Sequence, residues 1–161
     1  MPILHLQSQG HNQAPDGTVT PLPPAVVLAA RGPCVQVTLG ISQSFAQQLQ
    51  QQGQSLPQPI SGLALIDTGA VSTCIDAGIA ARMGLPVIDV VNMSSASHAS
   101  TQQNIHPVQI EVVGLPISID APRSMGVLLA NQGLIALLGR DVLQQCTLFY
   151  NGLTGQITLS I

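Results

Sequence analysis

Two short stretches of this sequence combine apolar residues, glycine and an acid in a pattern that could do chemistry. In the first, the apolar run 63–66 leads into Asp67-Thr68-Gly69-Ala70, and in the second, the run 134–138 leads into Gly139-Arg140-Asp141. An ionised carboxylate next to an apolar strand is costly unless hydrogen bonds or a charge compensate its desolvation. Asp67 is therefore a candidate for the kind of group that moves a proton during hydrolysis.

The immediate surroundings of Asp67 favour a functional interpretation over a structural one. Asp-Thr-Gly alone is a short motif, and its ordinary explanation is a strand end followed by a glycine turn. Here the motif follows an apolar run, precedes the strand-like residues 71–75, and is answered about seventy residues later by Leu-Leu-Gly-Arg-Asp before a predicted short helix. We interpret the two stretches as parts of one site.

With these motifs, the sequence resembles the retropepsin-like aspartic proteases, of the cellular or bacterial single-domain type. In that family, Asp-Thr-Gly-Ala is matched later by two apolar residues, Gly, Arg and Asp or Asn. The resemblance covers most of residues 31–161 and leaves the first thirty unexplained. It implies an all-β fold, mainly β with one or two short helices, in which each chain forms one lobe built on the closed β-barrel of the acid proteases.

The resemblance also implies an activity, that of an aspartic endopeptidase acting on peptides or proteins. Its two carboxylates, about 3 Å apart, would be Asp67 from each subunit of a homodimer, and they would share one proton and activate a water. Activity is then expected at mildly acidic pH. Thr68 is expected to bond across the two-fold axis, Gly69 to let the backbone approach the site, and Ala70 to keep its floor small.

The second motif, Gly139, Arg140 and Asp141, is expected to be structural. In viral relatives the arginine pairs with an acid four residues after the catalytic one, and Val71 occupies that position here. The remaining acids have weaker cases as catalytic groups: Asp76 is a predicted helix cap, and the others lie near turns or on strand faces, namely Asp16, Asp89, Asp120 and Glu111. The alternative function is a catalytically silent dimeric module for binding or regulation.

Two β-rich runs, 87–91 and 105–113, flank a small polar segment at 92–103. Few apolar side chains are present to hold this segment down, so we expect a mobile hairpin tip. The resemblance makes this hairpin the flap that folds over substrate, with Ser95, Ala96, Ser97, His98 and Ala99 as candidates. An ordinary exposed loop is the alternative.

The length of 161 residues suits one domain. Residues 1–24 are expected to be an N-terminal arm, flexible or at the dimer interface, and residues 25–161 the protease domain with a Gln-rich insert at 42–60. A helix is expected within that insert, which could alternatively bind a partner. The runs 25–29 and 34–39 are expected to pair as a hairpin, and 156–161 is expected to be an apolar edge strand of the dimer interface.

Composition excludes several other classes of function. The net charge is −3, with four arginines and no lysine, so no basic patch is expected for nucleic acid or for an anionic membrane. No membrane span or signal peptide is expected, and the predicted location is cytoplasmic. The three cysteines are too far apart for a zinc or disulfide framework. His98 and His106 match no metal or Ser-His-Asp pattern and are expected on polar hairpin faces, so we expect no metal and no cofactor.

Overall fold

The structure, a computed structural model, describes residues 2–95 and 98–161 and is mainly β. Its strands are β1 (Ile3–Gln7), β2 (His11–Gln13), β3 (Val19–Pro21), β4 (Cys34–Ile41), β5 (Ile60–Ile66), β6 (Cys74–Asp76), β7 (Asp89–Ser95), β8 (His98–Val112), β9 (Ser118–Val127), β10 (Ala136–Leu138), β11 (Thr147–Asn151) and β12 (Gln156–Ser160). The α-helices are α1 (Pro24–Arg31), α2 (Gln43–Gln51), α3 (Ala77–Arg82) and α4 (Arg140–Leu143), with a 3-10 turn at Ala130–Gln132.

Six of these strands form a closed barrel. Their order is β4, β5, β10, β6, β9 and β8, and the barrel closes where β8 pairs with β4 in antiparallel fashion. Along β4, Val35, Val37 and Leu39 are buried while Gln36 is exposed, which is the alternation expected of a strand with one face in the core. The predicted mainly β fold with a closed barrel and one lobe per chain is confirmed.

One parallel strand pair brings the two sequence motifs together. β5 and β10 run side by side in the same direction, with Ile66 opposite Leu138. Because parallel strands end at the same edge of a sheet, the residues that follow them emerge next to each other. Asp67 and Gly139 are those residues, so the barrel itself sets their proximity.

The helices differ from the sequence prediction in number and in one position. Four α-helices are present among the described residues, where one or two were expected. Residues 25–29, predicted as a strand, lie in α1. Pro24 is preset for a first helical turn, Gly32 ends the helix with φ 72°, and an apolar run this short fits either structure. The helix buries Val27 and Leu28.

The long strand β9 contains Pro122, which has no backbone N–H to donate to the sheet. The register between β8 and β9 shifts between His106 and Val108, so that Pro122 and Arg123 form a bulge in β9 opposite Pro107 of β8. Bulges accommodate prolines because they release residues from the ladder of backbone hydrogen bonds. The insert contains a helix as expected, with Ser42 accepting a hydrogen bond from the Phe45 N–H of α2.

The predicted flap hairpin corresponds to β7 and the first half of β8. The two strands pair from Asp89 opposite Ile105 onward, while β8 pairs with β9 and β4 only from Ile105 to Val112. The hairpin therefore extends beyond the barrel. Of the flap candidates, Ala96 and Ser97 lie outside the described residues, and Ser95, His98 and Ala99 are described only as strand residues.

A separate three-stranded sheet has the order β1, β12, β11. The prediction that residues 156–161 form an unpaired edge is wrong, because β12 has β1 on one side and β11 on the other. Ile157 and Leu159 of β12 are each 1% exposed and belong to the core. Part of the predicted arm is thus paired within the chain, although the division into arm and domain stays a prediction.

The α-helices in the described part of the chain are all short. Among residues 2–95 and 98–161, none is both long enough and apolar enough to cross a membrane. The longest of them, α2, has nine residues. A membrane-spanning helix needs about 20 residues, so α2 falls well short.

Candidate active site

Asp67 begins the turn that follows β5, and the turn fixes one of its carboxylate oxygens. The Asp67 N–H donates to the Leu138 carbonyl at 3.0 Å, which ties the residue to β10. Its Oδ1 accepts hydrogen bonds from the N–H groups of Gly69 at 2.9 Å and Ala70 at 3.2 Å. The side chain is half-buried, and its Oδ2 has no hydrogen-bond partner among the described residues. One oxygen is therefore oriented and the other is available.

The glycine of the second motif allows two backbones to touch. A Cβ built on Gly139 would lie 2.5 Å from the carbonyl carbon of Ser72 and 2.8 Å from the nitrogen of Thr73. Real Cβ atoms do not approach backbone atoms this closely, so any side chain at residue 139 would push the two segments apart. The requirement for glycine here is steric, since its φ is −84°.

Asp141 holds the segment that follows the Asp67 turn. Its carboxylate accepts hydrogen bonds from the Thr73 N–H at 2.9 Å, from the Thr73 hydroxyl at 2.8 Å and from the Val142 N–H at 2.9 Å. The Thr73 Oγ1 in turn accepts from the Gly139 N–H at 3.1 Å. Both oxygens of Asp141 are engaged, so this acid serves the scaffold.

The sequence predicted one strand over residues 71–75, and the hydrogen bonds around Asp141 explain why the strand is shorter. The Ala70 and Val71 carbonyls accept from the N–H groups of Arg140 and Asp141, and the Thr73 N–H is bound by the Asp141 carboxylate. Backbone groups bound in this way are not available to a strand ladder. β6 consequently begins only at Cys74. The importance of Thr73 was missed, because its partners lie 66 and 68 residues away.

Arg140 binds the Asp67 turn without contacting a carboxylate. Its Nη1 donates to the Thr68 carbonyl at 3.2 Å, and its own N–H donates to the Ala70 carbonyl at 3.0 Å. The exposed Val71 occupies the position where viral relatives have an acid, so the arginine supports the turn through backbone oxygens. Thr68 is exposed, and only its carbonyl takes part in a hydrogen bond among the described residues.

Asp76 is a second strand-end acid, and both its oxygens are bound. Its Oδ1 accepts from the Ile79 N–H at 3.1 Å, as expected of a helix cap, and its Oδ2 accepts from the N–H groups of Leu129 and Ala130. Burial alone would raise the pKa of Asp76, but hydrogen bonds from four backbone N–H groups outweigh it and hold the pKa below its usual value. Asp76 therefore joins α3 to the turn before β10.

The environment of the Cys74 thiol, close to Asp67 and Asp141, favours its protonated form. Burial, with the charges of Asp141 and Asp67, raises the pKa of Cys74 to about 11, and burial also raises the pKa values of Cys34 and Cys146. A thiol with so high a pKa stays protonated at neutral pH. All three cysteines are free, and two are half-buried while Cys74 is buried.

The sequence predicted that His106 lies on a polar hairpin face, and this prediction is wrong. His106 is 6% exposed, and its Nδ1 donates to the Pro86 carbonyl at 3.1 Å. Gly126, whose Cβ would lie 3.2 Å from Nε2, leaves room for the ring. Among the described residues, no group of three His, Cys, Asp or Glu side chains could hold a metal ion.

The structure thus brings Asp67, Thr68, Gly69 and Ala70 together with residues 139–141. Five surface cavities of about 200 to 540 Å³ are lined by other residues, and none of these five includes Asp67. In one chain, the candidate site is therefore an oriented carboxylate on a hydrogen-bonded turn. It lies outside these five cavities.

Comparison with known proteins gives a family and a distant structural likeness. Residues 58–145, more than half of the chain, match the family model described as gag-polyprotein putative aspartyl protease. A crystal structure of a retropepsin-like aspartic protease from Rickettsia conorii is 10% identical, with a TM-score of 0.49, and the alignment covers 98% of this chain and 90% of that one. No curated protein matches the sequence. The family match includes both motifs.

Proposed function

The chain belongs to the gag-polyprotein putative aspartyl protease family, and from this premise we propose that it is an aspartic endopeptidase that works as a homodimer. Asp67 of each subunit would supply one carboxylate. The substrate would be a peptide or protein segment bound between the subunits. The location proposed from the sequence is cytoplasmic.

The observation that carries this proposal is the state of the Asp67 carboxylate. Its Oδ1 is fixed by the Gly69 and Ala70 N–H groups, and its Oδ2 is unpartnered within the described part of the chain. A catalytic carboxylate needs a defined direction and an oxygen that can exchange a proton with water. Asp67 meets both conditions.

The need for a second copy follows from the acids around Asp67. Asp141 is the acid of the second motif, and both of its carboxylate oxygens accept hydrogen bonds from Thr73 or Val142. Asp76 is engaged in the same way by backbone N–H groups. Of these three acids, only Asp67 offers an available carboxylate oxygen, and a two-fold axis beside Asp67 would supply the second carboxylate.

With two Asp67 groups in contact, the mechanism is that of a shared-proton pair. Like charges this close cannot both ionise, so one carboxyl stays protonated and polarises the scissile carbonyl. The ionised one accepts a proton from the attacking water. The pair loses this arrangement when both acids are protonated or both ionised, so activity is expected to peak at mildly acidic pH.

The flap is proposed to be the β7–β8 hairpin, and the candidate flap residues from the sequence are Ser95, Ala96, Ser97, His98 and Ala99. Its extension beyond the barrel supports this role. Hydrogen exchange is the test. We expect fast exchange at residues 92–103 without ligand and slower exchange with a peptidomimetic inhibitor, and equal protection in the two states would contradict the flap.

The experiment for the activity is a cleavage profile on a denatured peptide library. Wild type and Asp67→Asn are incubated with the library across pH 4 to 7, and new peptide termini are identified by mass spectrometry. We expect wild type to generate new termini, most at the acidic end, and Asp67→Asn to generate none. Turnover by Asp67→Asn at the wild-type rate would refute the assignment of Asp67.

The same experiment separates the protease from the silent module. If wild type is dimeric and folded but produces no new termini at any pH, the chain is a dimeric binding or regulatory protein. Arg82→Gln serves as a matched control, because Arg82 is exposed on α3 and away from both motifs. Its cleavage profile should match that of wild type.

A further inference from the structure

The Gln-rich insert at 42–60 forms a cavity against the outside of the barrel, and the proposed function makes no use of it. The insert follows β4, contains α2 and returns to the barrel at Ile60 of β5, which lies opposite Leu39 of β4. The cavity between the insert and the sheet, which we term the insert cavity, has a volume of about 370 Å³. Pockets that bind ligands usually measure about 300–1,000 Å³. The insert cavity is therefore large enough to hold one.

The floor of the insert cavity is the outer face of β4 and β8. Buried residues alternate with outward ones along both strands, so Thr38, Gly40, Gln109 and Glu111 share this face. The register places Thr38 opposite Glu111 and Gly40 opposite Gln109. The Thr38 hydroxyl already forms a hydrogen bond with the Ser61 hydroxyl at 2.8 Å. Among the described residues that line the cavity, Glu111 is the only charged one.

The walls of the insert cavity are largely apolar. Ala46 of α2, Ile41 at the end of β4 and the loop 56–59 line it. Pro57 and Pro59 of that loop have no backbone N–H, so they present ring carbons where other residues would present a hydrogen-bond donor. The insert cavity therefore combines apolar surface with a single carboxylate.

Glu111 has no partner within the described part of the chain. It is the only glutamate of the sequence, and residues 32–66, which include β4, α2 and β5, contain no charged side chain that could neutralise it. Arg123 pairs instead with Asp89, and Arg140 binds the Asp67 turn. A carboxylate beside apolar walls attracts a cation more strongly than one in bulk water, because the effective dielectric constant is lower. Glu111 is thus set up to bind a cation from another molecule.

A second cavity adjoins the insert cavity at Glu111. Its volume is about 430 Å³, and Thr38 and Glu111 line both cavities. Its other lining residues belong to the end of β8, the turn after it and the start of β9. A ligand whose cation is bound by Glu111 therefore has room on both sides of the carboxylate. This shape suits an extended peptide better than a compact ion.

From these features we infer that the insert cavity binds an arginine side chain of an extended peptide segment, with the guanidinium on Glu111. A guanidinium can donate two parallel hydrogen bonds to one carboxylate, and it loses less hydration than an ammonium when it leaves water. Its methylene groups pack on apolar surface, which Ala46 and the loop 56–59 supply. This binding site goes beyond the proposed activity and does not depend on it.

The insert cavity is separate from the Asp67 turn. β5 begins beside the cavity at Ile60 and ends at Ile66, directly before Asp67. Its seven residues span roughly 20 Å as a strand. Most of the insert also precedes residue 58, where the family match begins. The matched family therefore does not account for this cavity.

The test is a titration of isotope-labelled protein with a peptide, followed by NMR. The probe is acetyl-Ala-Ala-Arg-Ala-Ala-amide, and the control probe has citrulline in place of arginine, with a similar shape and no charge. Every sample carries Asp67→Asn, so that the probe is not cleaved. We expect the arginine peptide to cause saturable shifts of the Gly40 and Ala46 N–H signals and of the Gln58 and Gln109 side-chain amides. Added salt should weaken this binding.

Two variants separate the charge from the cavity. Glu111→Gln removes the carboxylate charge with little change of shape, and it should weaken binding by about tenfold. Ala46→Leu keeps the charge but fills part of the cavity, and it should also weaken binding severalfold or more. Asp16→Asn is the matched control, because it removes one charge from an exposed turn that lines none of the five cavities. It should bind the peptide as the parent does.

Circular dichroism and melting temperature check that these variants fold. Equal shifts with the citrulline peptide, or undiminished binding by Glu111→Gln, would overturn the assignment of the cation to Glu111. Undiminished binding by Ala46→Leu would show that the peptide does not enter the insert cavity. The absence of saturable shifts would overturn the inference as a whole.

A further arm uses agmatine, which carries a guanidinium on an alkyl stem without a peptide backbone. It should bind more weakly than the peptide, and an equal affinity would overturn the assignment to a peptide segment. None of these measurements needs turnover. They report on the insert cavity even if wild type cleaves nothing, and a failure of binding would leave the test of Asp67 unaffected.

Discussion

Asp67 and Asp76 begin with the same local geometry and end with different environments. Each acid lies at the end of a buried strand, and each uses Oδ1 to accept backbone N–H groups two or three residues ahead. The Oδ2 of Asp76 also accepts from Leu129 and Ala130, and the residue is 5% exposed. The Oδ2 of Asp67 has no partner among the described residues, and the side chain is half-buried.

The difference lies in tertiary structure and not in the turn. Local sequence supplies the first set of donors in both cases, since an acid before a helix or a glycine turn can bind the N–H groups that follow it. Only the fold decides whether a distant segment saturates the second oxygen. A carboxylate with hydrogen bonds to both oxygens stabilises the fold, whereas one with a free oxygen can still bind a proton or a water molecule.

The largest expected effect is on activity, at Asp67. The isosteric Asp67→Asn variant keeps an oxygen for the Gly69 and Ala70 N–H groups but cannot exchange a proton, so peptidase activity should fall by about 10³-fold or more. The melting temperature should be nearly unchanged, because the amide oxygen of the variant keeps both backbone hydrogen bonds. A large loss of stability would mean that Asp67 resembles Asp76 after all. Initial rates and thermal melts of the same samples measure both.

At Asp76 the reverse result is expected. Asp76→Ala removes a helix cap and leaves two N–H groups of the turn before β10 without an acceptor, which should cost about 3 kcal/mol of unfolding free energy. Urea denaturation at neutral pH measures it. Asp16→Ala is the control: Asp16 also accepts a backbone N–H, from Thr18, but in an exposed turn, and its loss should leave the urea midpoint nearly unchanged.

Acid should weaken the fold through Asp76. Its pKa in the folded chain lies below the ordinary value of 3.8, so the unfolded chain binds its proton first as the pH falls. The contribution of Asp76 is complete above that ordinary value and is lost as the pH drops through the folded pKa. Urea midpoints between pH 7 and 2 should fall less steeply for Asp76→Asn than for wild type. Parallel slopes would show that other carboxyls dominate.

Thr73 tests whether the support behind Asp67 needs its hydroxyl. Thr73→Val removes the hydroxyl that donates to Asp141 in a partly buried bond and accepts from the Gly139 N–H in a buried one, and should cost about 2 kcal/mol. Thr73→Ser keeps the hydroxyl and should retain most of the stability. Similar losses in the two variants would assign the effect to the methyl group of Thr73.

The smallest effect is expected at Arg140. Its guanidinium is exposed and reaches one carbonyl, that of Thr68, so Arg140→Gln should change the unfolding free energy by less than about 1 kcal/mol. Activity should fall only several-fold, because the Arg140 N–H still binds Ala70. A loss as large as that of Asp67→Asn would show that the arginine side chain takes part in the chemistry.

Local patterns were sufficient to predict part of this structure. The Asp67 turn, the Asp76 cap and the helix α2 each depend on residues within a few positions of one another, and such signals can be read from a single sequence. The association of Asp67 with residues 139–141 was predicted from the family resemblance. Its physical basis is the parallel pairing of β5 with β10, which no local pattern specifies.

Long-range partners account for what was missed. The residue types at 71–75 favour a strand, but Thr73 forms hydrogen bonds with Asp141 and Gly139 instead of strand pairs. His106 is buried and has a hydrogen bond to the Pro86 carbonyl. The run 25–29 has strand-like residues, yet Pro24 and Gly32 delimit a helix there. In each case a contact or a backbone constraint outside the apolar pattern outweighed intrinsic propensity.

The pairing of β1 with β12 has a consequence for the order of folding. Ile3 of β1 lies opposite Ser160 of β12, so during synthesis β1 finds its partner only after the long segment between the two strands has been made. Loop closure over such a distance is slow, and an apolar strand waiting for it is open to wrong partners. Refolding of this protein should therefore end with the docking of β1, and nascent chains lacking β12 should depend on chaperones.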